Sequence, residues 1–429
     1  MQYFLFILYL LIFAWLVTRI GLFRNTGLSR PQLVSIFLLK IMAGIFYGWI
    51  GHYHTTTAQI VDTWSYHERA LVEYGILRTN PSEYFTNLFH NPYPNGLWNF
   101  FGSTDSYWND LKANVFIKLL SVFDIFSFGN YYTNVIFYAF LSFFGNCLLY
   151  RVFRDRFPEK ATLLIFTVFF VPSFFYWANG IHKEGLIFTG MALILYHLYF
   201  AEKHGRYTIK NWLGIGAGLL ILLLLRNFIL VVILPAMSGW FLAARFPRRK
   251  LLCYTGVFAF FILVFFTLPY IHPRLDFPGA VVEKQRAFVN LIGANSAVPI
   301  APLEPGFLGF LKNTPQAISL ALLRPYPADI HHLLSLAAAL ENFLLILLLM
   351  AVIFVRDRQA DRKTNLVYFC VFFSAWMLLA IGFSVNNLGA ISRYRSIVFP
   401  FLISAVCIYI DWNKLARPFT LIKKKNNIN

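Results

Sequence analysis

The sequence predicts an all-α fold, a polytopic membrane helix bundle of about eleven transmembrane helices with its N-terminus outside and its C-terminus cytoplasmic. Three observations predict it. The apolar residues come largely in runs of about 18 to 22, long enough to cross a hydrocarbon core of roughly 30 Å. The chain is 58% hydrophobic and only 13% charged, where a soluble domain carries about 25% charged residues. Its basic residues alternate between the runs in a one-sided way. The alternating hydrophobicity of a membrane β-barrel is absent. One membrane domain, residues 1–429, accounts for the chain.

In order, the predicted spans lie near residues 2–18, 32–51, 131–150, 161–178, 184–201, 212–225, 227–244, 251–270, 334–355, 364–383 and 396–412. No basic residue precedes the first run and no small-residue cleavage site follows it, so it reads as a retained helix. The segments at 19–31, 151–160, 202–210, 245–250, 356–363 and 411–429 hold 23 of the 37 Lys and Arg but 6 of the 19 Asp and Glu. The intervening segments hold 13 of each sign. This is the positive-inside pattern, and it places Lys423, Lys424 and Lys425 in the cytoplasm. The net charge of +18 is thus a topology signal with anionic-lipid contact, and nucleic acid is excluded as a partner. The four cysteines all lie inside apolar runs and none forms a CxxC spacing, so no zinc or disulfide framework is expected.

Two large outer loops follow, 52–130 and 271–333, and they carry the candidate site. Residues 112–127 set Val115, Phe116, Leu119, Leu120 and Phe123 at helical spacing, with Lys112 and Lys118 on another face, as in a membrane-surface helix. Residues 306–323 resemble this and end at Arg324-Pro325-Tyr326-Pro327. Residues 212–244 are apolar apart from Arg226-Asn227, and Lys210 and Arg245 flank them with the same sign. Both flanks belong on one side, so the run is a hairpin with Arg226 at its tip. A first leg of 14 residues rises about 21 Å, which recesses Arg226 below the outer surface. Such an arginine either snorkels or pairs with a structural carboxylate, or it meets an anionic ligand. No internal repeat is visible, which argues against an inverted-repeat transporter.

Three outer constellations can carry chemistry. The first is Asp62-Thr63-Trp64-Ser65-Tyr66-His67. Asp62 is the first carboxylate of the chain, placed to act as a general base or to hold a divalent cation; it also suits helix initiation. The second runs from Pro172 to Gly185, where an aromatic helix end turns at Asn179-Gly180 into His182-Lys183-Glu184. A helix N-terminus with Lys183 and His182 beside it is a phosphate seat, or an interfacial anchor with Glu184 in the first turn. The third runs from Asn386 to Arg395, ending in Ser392-Arg393-Tyr394-Arg395 before Pro400, where the arginines bind phosphate or anchor to headgroups. Asp105, Asp110, Arg324 and Glu341 are weaker candidates. His52, His54 and His67 with Asp62 offer metal ligands but lack a zinc spacing.

Together these segments resemble the GT-C superfamily, integral-membrane glycosyltransferases that use polyprenyl-phosphate-linked sugars, and most closely its bacterial mannosyltransferase-like and lipopolysaccharide-glycosyltransferase-like members. The resemblance covers most of the chain in architecture and rests on short motifs: Asp62 with Tyr66, a surface helix after that loop, the Pro-Ser…Trp…Gly…His-Lys-Glu turn, and Arg393-Tyr394-Arg395 before a proline-bearing last helix. It implies that Asp62 activates an acceptor hydroxyl of a cell-envelope glycan or lipid. His182, Lys183, Arg226, Arg324, Arg393 and Arg395 would then stabilise the departing lipid phosphate, and Tyr66, Asp105, Glu184 and Tyr394 would line the substrate. It implies an inverting reaction on the outer face of a bacterial inner membrane, with a divalent cation as an optional cofactor. Many relatives carry paired acids in the first loop, whereas Val61 and Thr63 flank Asp62 here, and one extra helix precedes that loop. Wzy-type polysaccharide polymerases and, less closely, lipid or solute transporters are the alternative readings.

Overall fold

A computed structural model describes residues 2–53, 62–102, 104–291, 296–357, 364–412 and 414–415. The fold is all-α, and two isolated bridges, Ala297–Asn387 and Arg356–Ile410, are the only extended pairings among the described residues. Along the chain run α1 (Gln2–Arg19), α2 (Arg30–Tyr53), α3 (Asp62–Thr79), α4 (Tyr107–Ser127), α5 (Tyr131–Arg156), α6 (Ala161–Phe169), α7 (Pro172–Trp177) and α8 (Lys183–Lys203). Then come α9 (Ile209–Arg226), α10 (Leu230–Arg245), α11 (Lys250–Ile271), α12 (Phe277–Val289), α13 (Phe307–Ile318), α14 (Leu333–Phe354), α15 (Asn365–Ser384), α16 (Leu388–Ser396) and α17 (Phe399–Cys407).

Among the described residues, eight helical stretches are long and apolar enough to cross a membrane, or nine if α16 and α17, bent 60° apart, count as one span. That supports a multi-pass bundle and differs in detail from the eleven expected spans. The predicted span 161–178 is two short helices, and the nine residues of α6 rise only about 14 Å. Pro172 starts the second of them, since it cannot continue the first. The predicted span 396–412 is the bent pair.

Residues 209–245 form one 37-residue helical stretch that folds back on itself. Arg226 breaks the helix with φ −161° and ψ 77°. The rings of Trp212 and Tyr207 then lie 6.0 and 5.5 Å from that of Phe241, which sets the start of α9 beside the end of α10. The expected hairpin is therefore present. Its first leg has 18 residues rather than 14, because Ile209, Lys210 and Asn211 join the helix at its start and Arg226 at its end.

α5 and α8 form the centre of the bundle, at 78% and 72% buried, while α1, α11 and α14 are peripheral at 6% to 17%. The buried core is aromatic and aliphatic, with Phe37, Phe143, Phe153, Phe174 and Phe188 nearly inaccessible. Outside the long spans, α3 is a polar helix packed on α4. α4 covers the helix expected over 112–127 and is started by Ser106, whose hydroxyl accepts from the Asn109 amide. Phe128 and Gly129 take left-handed backbone, φ 53° and 75°, and Asn130 at once caps α5 by accepting from the Thr133 amide at 2.9 Å.

The basic segments gather at one end of the bundle. Arg154 donates to the Thr26 carbonyl, Lys203 pairs with Asp155 at 2.6 Å, and Lys160 reaches Asp357 at 3.4 Å. Asn365 donates to Glu202 at 2.9 Å and to the Trp240 carbonyl at 3.1 Å. Lys423, Lys424, Lys425 and His54 lie outside the described residues.

Asp124 is a buried carboxylate without an ion pair among the described residues. Asp124 of α4 is inaccessible and receives the Asn134 side-chain amide at 2.7 Å, while its second oxygen has no hydrogen-bond partner. Burial pushes its carboxyl up to about 6. The folded state therefore holds this proton more tightly than the unfolded chain, so its contribution is greatest below the ordinary value of 3.8 and is lost as pH rises through about 6. Asp124→Asn is expected to raise stability at pH 7 by about 1–3 kcal/mol. Thermal unfolding of both forms from pH 4 to 8 checks this, with a flatter pH dependence in the variant.

Candidate functional site

The end of the bundle away from the basic segments holds an ion network drawn from four helices. Glu184, in the first turn of α8, is its buried root, with its side chain 2% exposed. Arg226, at the hairpin tip, donates to Glu184 Oε1 at 2.8 Å. Arg393 of α16 brings its Nε within 3.3 Å of the same oxygen without hydrogen-bond geometry, so that contact is an attraction of charges. The Arg393 Nη1 then donates to Asp62 at the start of α3. Asp62 is the open tip, 43% exposed at its side chain. Positions separated by up to 331 residues thus meet in one line of alternating charge.

Each element is pinned from behind. The first turn of α3 is held by Thr63, whose hydroxyl lies 2.7 Å from the Tyr131 hydroxyl. Trp64 stacks on Tyr131 at 4.1 Å and donates its indole N–H to the Gly48 carbonyl at 2.9 Å. The turn before α8 lies against α2. Lys40 donates to the Asn179 side chain at 2.5 Å, deep in the bundle. Tyr47 Oη lies 2.5 Å from His182 Nε2. Two glycines permit this approach: a Cβ on Gly44 would come within 2.5 Å of the Asn179 carbonyl, and one on Gly180 within 2.2 Å of the Tyr47 ring. Gly180→Ala is expected to push Tyr47 off His182 and to destabilise the chain by about 1–3 kcal/mol, as overpacking does. A thermal melt checks it.

The electrostatics follow from this packing. Burial raises the Asp62 carboxyl, but the adjacent Arg393 guanidinium and the nearby His182 outweigh that and hold it below the usual carboxylate range. Asp62 is therefore an ionised acceptor at neutral pH. Burial pushes the His182 imidazole down to about 4, against the pull of Glu184, so it is neutral. Its Nδ1 faces Glu184 at 3.7 Å and its Nε2 meets the tyrosine hydroxyl. His67 is likewise pushed down to about 4 by burial.

Of the expected site residues, Asp62, Lys183, Glu184, Arg226, Arg393, Tyr394 and Tyr66 come together. Arg226 lies over the Tyr394 ring at 4.3 Å, and Lys183 lies over the Tyr66 ring at 5.1 Å. Burial raises the Tyr66 phenol, so it stays protonated.

Others are placed differently. His182 is 2% exposed and neutral, with both nitrogens turned to protein groups, so it positions the turn rather than offering a cation. The α8 N-terminus is also occupied: Tyr138 Oη accepts from the Gly185 amide at 3.1 Å and donates to the His182 carbonyl. Arg395 is buried, with Nη1 on the carbonyls of Ala321 at 3.2 Å and Arg324 at 3.0 Å. Arg324 pairs with Asp329 at 3.0 Å. Asp105 lines a separate shallow hollow with Tyr93, Pro94, Asn95 and Asn99. Glu341 accepts from the Ser173 amide at 2.8 Å. These residues were reachable from charge alone, and charge does not report which neighbour takes it up.

Two cations escape sequence reasoning. Lys112 of α4 donates to the Asn227 side chain at 3.3 Å, beside Arg226. Lys284 of α12 lies over the Phe288 ring at 5.4 Å, and Phe288 packs on Tyr394 at 6.4 Å. Lys112 was visible only as the polar face of an amphipathic helix, and Lys284 sits in no motif. Among the described residues no three His, Cys, Asp or Glu side chains stand close enough to hold a metal ion.

What this arrangement can do is hold an anion. Arg226 is 7% exposed, yet its Nη1 is buried with no hydrogen-bond partner. A phosphate oxygen satisfies such a donor. No protein-family model matches the chain, and neither a curated protein nor a solved structure matches it.

Proposed function

We propose that this chain is a membrane glycosyltransferase that moves a sugar from a polyprenyl-phosphate-linked donor to a glycan or lipid acceptor. One observation carries the reading: an ionised, partly exposed Asp62 stands directly beside Arg393, in line with the orphaned donor of Arg226. A base and phosphate-binding cations on one site are what such a transfer requires.

In this reading the basic end of the bundle faces the cytoplasm, and the site faces the outer side of a bacterial inner membrane. About eleven crossings, short ones included, then put the N-terminus outside. The donor phosphate enters between Arg393, Arg226 and Lys183. It competes with Asp62 for Arg393, and the loss of that partner makes Asp62 more basic. Asp62 takes the proton of the acceptor hydroxyl. The acceptor oxygen bonds to the anomeric carbon as the bond from that carbon to the phosphate oxygen breaks, inverting the configuration. The electron pair leaves on the phosphate, where the guanidinium and ammonium groups meet the growing charge. Glu184 stays ionised and holds the two guanidinium groups apart at fixed positions.

The test is turnover by the purified full chain against a panel of polyprenyl-linked sugars and envelope glycan acceptors. Release of free polyprenyl phosphate with matching glycan product supports the reading. Absence of turnover across the panel, together with solute uptake in vesicles, overturns it.

A further inference from the structure

The cation set is larger than a single phosphate needs. The charges that act on one another in the site are Arg226, Arg393, Lys183, Lys112 and Lys284 against Asp62 and Glu184. The two carboxylates are engaged by the two arginines. The three lysines meet neutral groups: the Asn227 amide oxygen, the Tyr66 ring and the Phe288 ring. They surround the Arg226–Tyr394 stack from three different helices, α4, α8 and α12.

From this geometry we infer that the donor is a lipid diphosphate sugar, with one phosphate on Arg393 and Arg226 and the second on Lys112 and Lys284. The inference rests on the glycosyl-transfer reading of the same site and narrows its substrate class. Like charges held together without a partner repel, and an anion among them removes that repulsion. Lys112 registers the strain: burial, then the charges of Lys284, Lys183 and Arg226, push its amine down to about 7.

The count of charge is specific. Four cations, with Lys112 as a fifth once a bound anion restores its proton, leave an excess of three over the two carboxylates. A sugar on a lipid monophosphate is a phosphodiester with one negative charge, and its product carries about two. A sugar on a lipid diphosphate carries two, and its product about three. In the transfer the sugar–oxygen bond breaks with its electron pair going to the diphosphate, the acceptor oxygen bonds to the sugar, and the acceptor proton goes to Asp62. The leaving group gains a negative charge as Asp62 loses its own to the incoming proton, so the cations around the diphosphate meet the charge that develops there, at the point where stabilisation speeds the reaction.

The experiment titrates purified full-length protein with two short probes, farnesyl phosphate and farnesyl diphosphate, at fixed ionic strength. Calorimetry reads affinity, and the shift in thermal midpoint is the second readout. The diphosphate is expected to bind at least tenfold more tightly. Lys112→Gln and Lys284→Gln, checked for folding by their melts, are each expected to narrow that ratio at least threefold. Equal affinity for the two probes, or binding of neither, overturns the inference. Sugar transfer from a monophosphate donor with equal probe affinity removes the inference and keeps the transferase reading. A diphosphate preference with no sugar transfer from any donor keeps the diphosphate seat on Lys112 and Lys284 but overturns the transferase reading, and the donor assignment with it.

Discussion

Asp62→Asn is expected to lower sugar transfer by about 10²- to 10⁴-fold, the range a positioned general base contributes. The substitution keeps the size and the N-terminal position on α3 but removes the charge. Donor binding is not expected to weaken, because Arg393 loses its competing carboxylate and becomes freer for phosphate. The loss therefore falls on kcat, not KM. The acid limb of kcat/KM, which reports the free enzyme, is expected below the ordinary 3.8, since Arg393 and His182 hold the Asp62 carboxyl down despite its burial, whereas the limb of kcat is expected higher once the donor phosphate takes Arg393. A transfer rate unchanged in the variant, alongside activity abolished by Arg393→Ala, would point to a polymerase that uses arginines without a base.

Glu184→Gln carries the second large effect, on the fold itself. Among the described residues Glu184 is the one carboxylate paired with both Arg226 and Arg393, and it is almost inaccessible to solvent. Its removal leaves two confined guanidinium groups facing each other. Breaking a buried ion pair from one side costs about 3–5 kcal/mol. A much lower thermal midpoint is expected, with partial recovery on adding pyrophosphate, which supplies the missing negative charge. A midpoint within a degree or two of the native protein would show that Glu184 is not the root of the network.

The class of fold was legible because lipid imposes a simple rule: apolar length reports a span, and basic flanks report its ends. That rule also found the hairpin at Arg226, since Lys210 and Arg245 cannot flank a single crossing. At 161–178 and 396–412 hydropathy is high but the helices break, which apolar length alone does not report. Pro172 marks the first break, and Pro400 in the first turn of α17 marks the bend between Ser396 and Phe399.

The site was legible in part for a different reason. Asp62, Glu184, Arg226 and Arg393 are charges at helix ends near the apolar boundary, which sequence can detect. Their partners are set by packing, which it cannot. Arg395 sits two residues from Arg393 yet turns to the carbonyls of Ala321 and Arg324. His182 looked like a cation until burial and Tyr47 took its nitrogens. Lys112 and Lys284 joined the site only because α4 and α12 close around the hairpin tip.

The most direct measurement is an experimental structure of the full chain bound to a polyprenyl-phosphate sugar analogue. The phosphorus is expected within charge-assisted hydrogen-bond reach of Arg393 and Arg226, with the Arg226 Nη1 donor engaged and the anomeric carbon facing Asp62. Phosphorus held instead at Arg324 and Arg395, or at the basic end around Arg248 and Arg249, would contradict it.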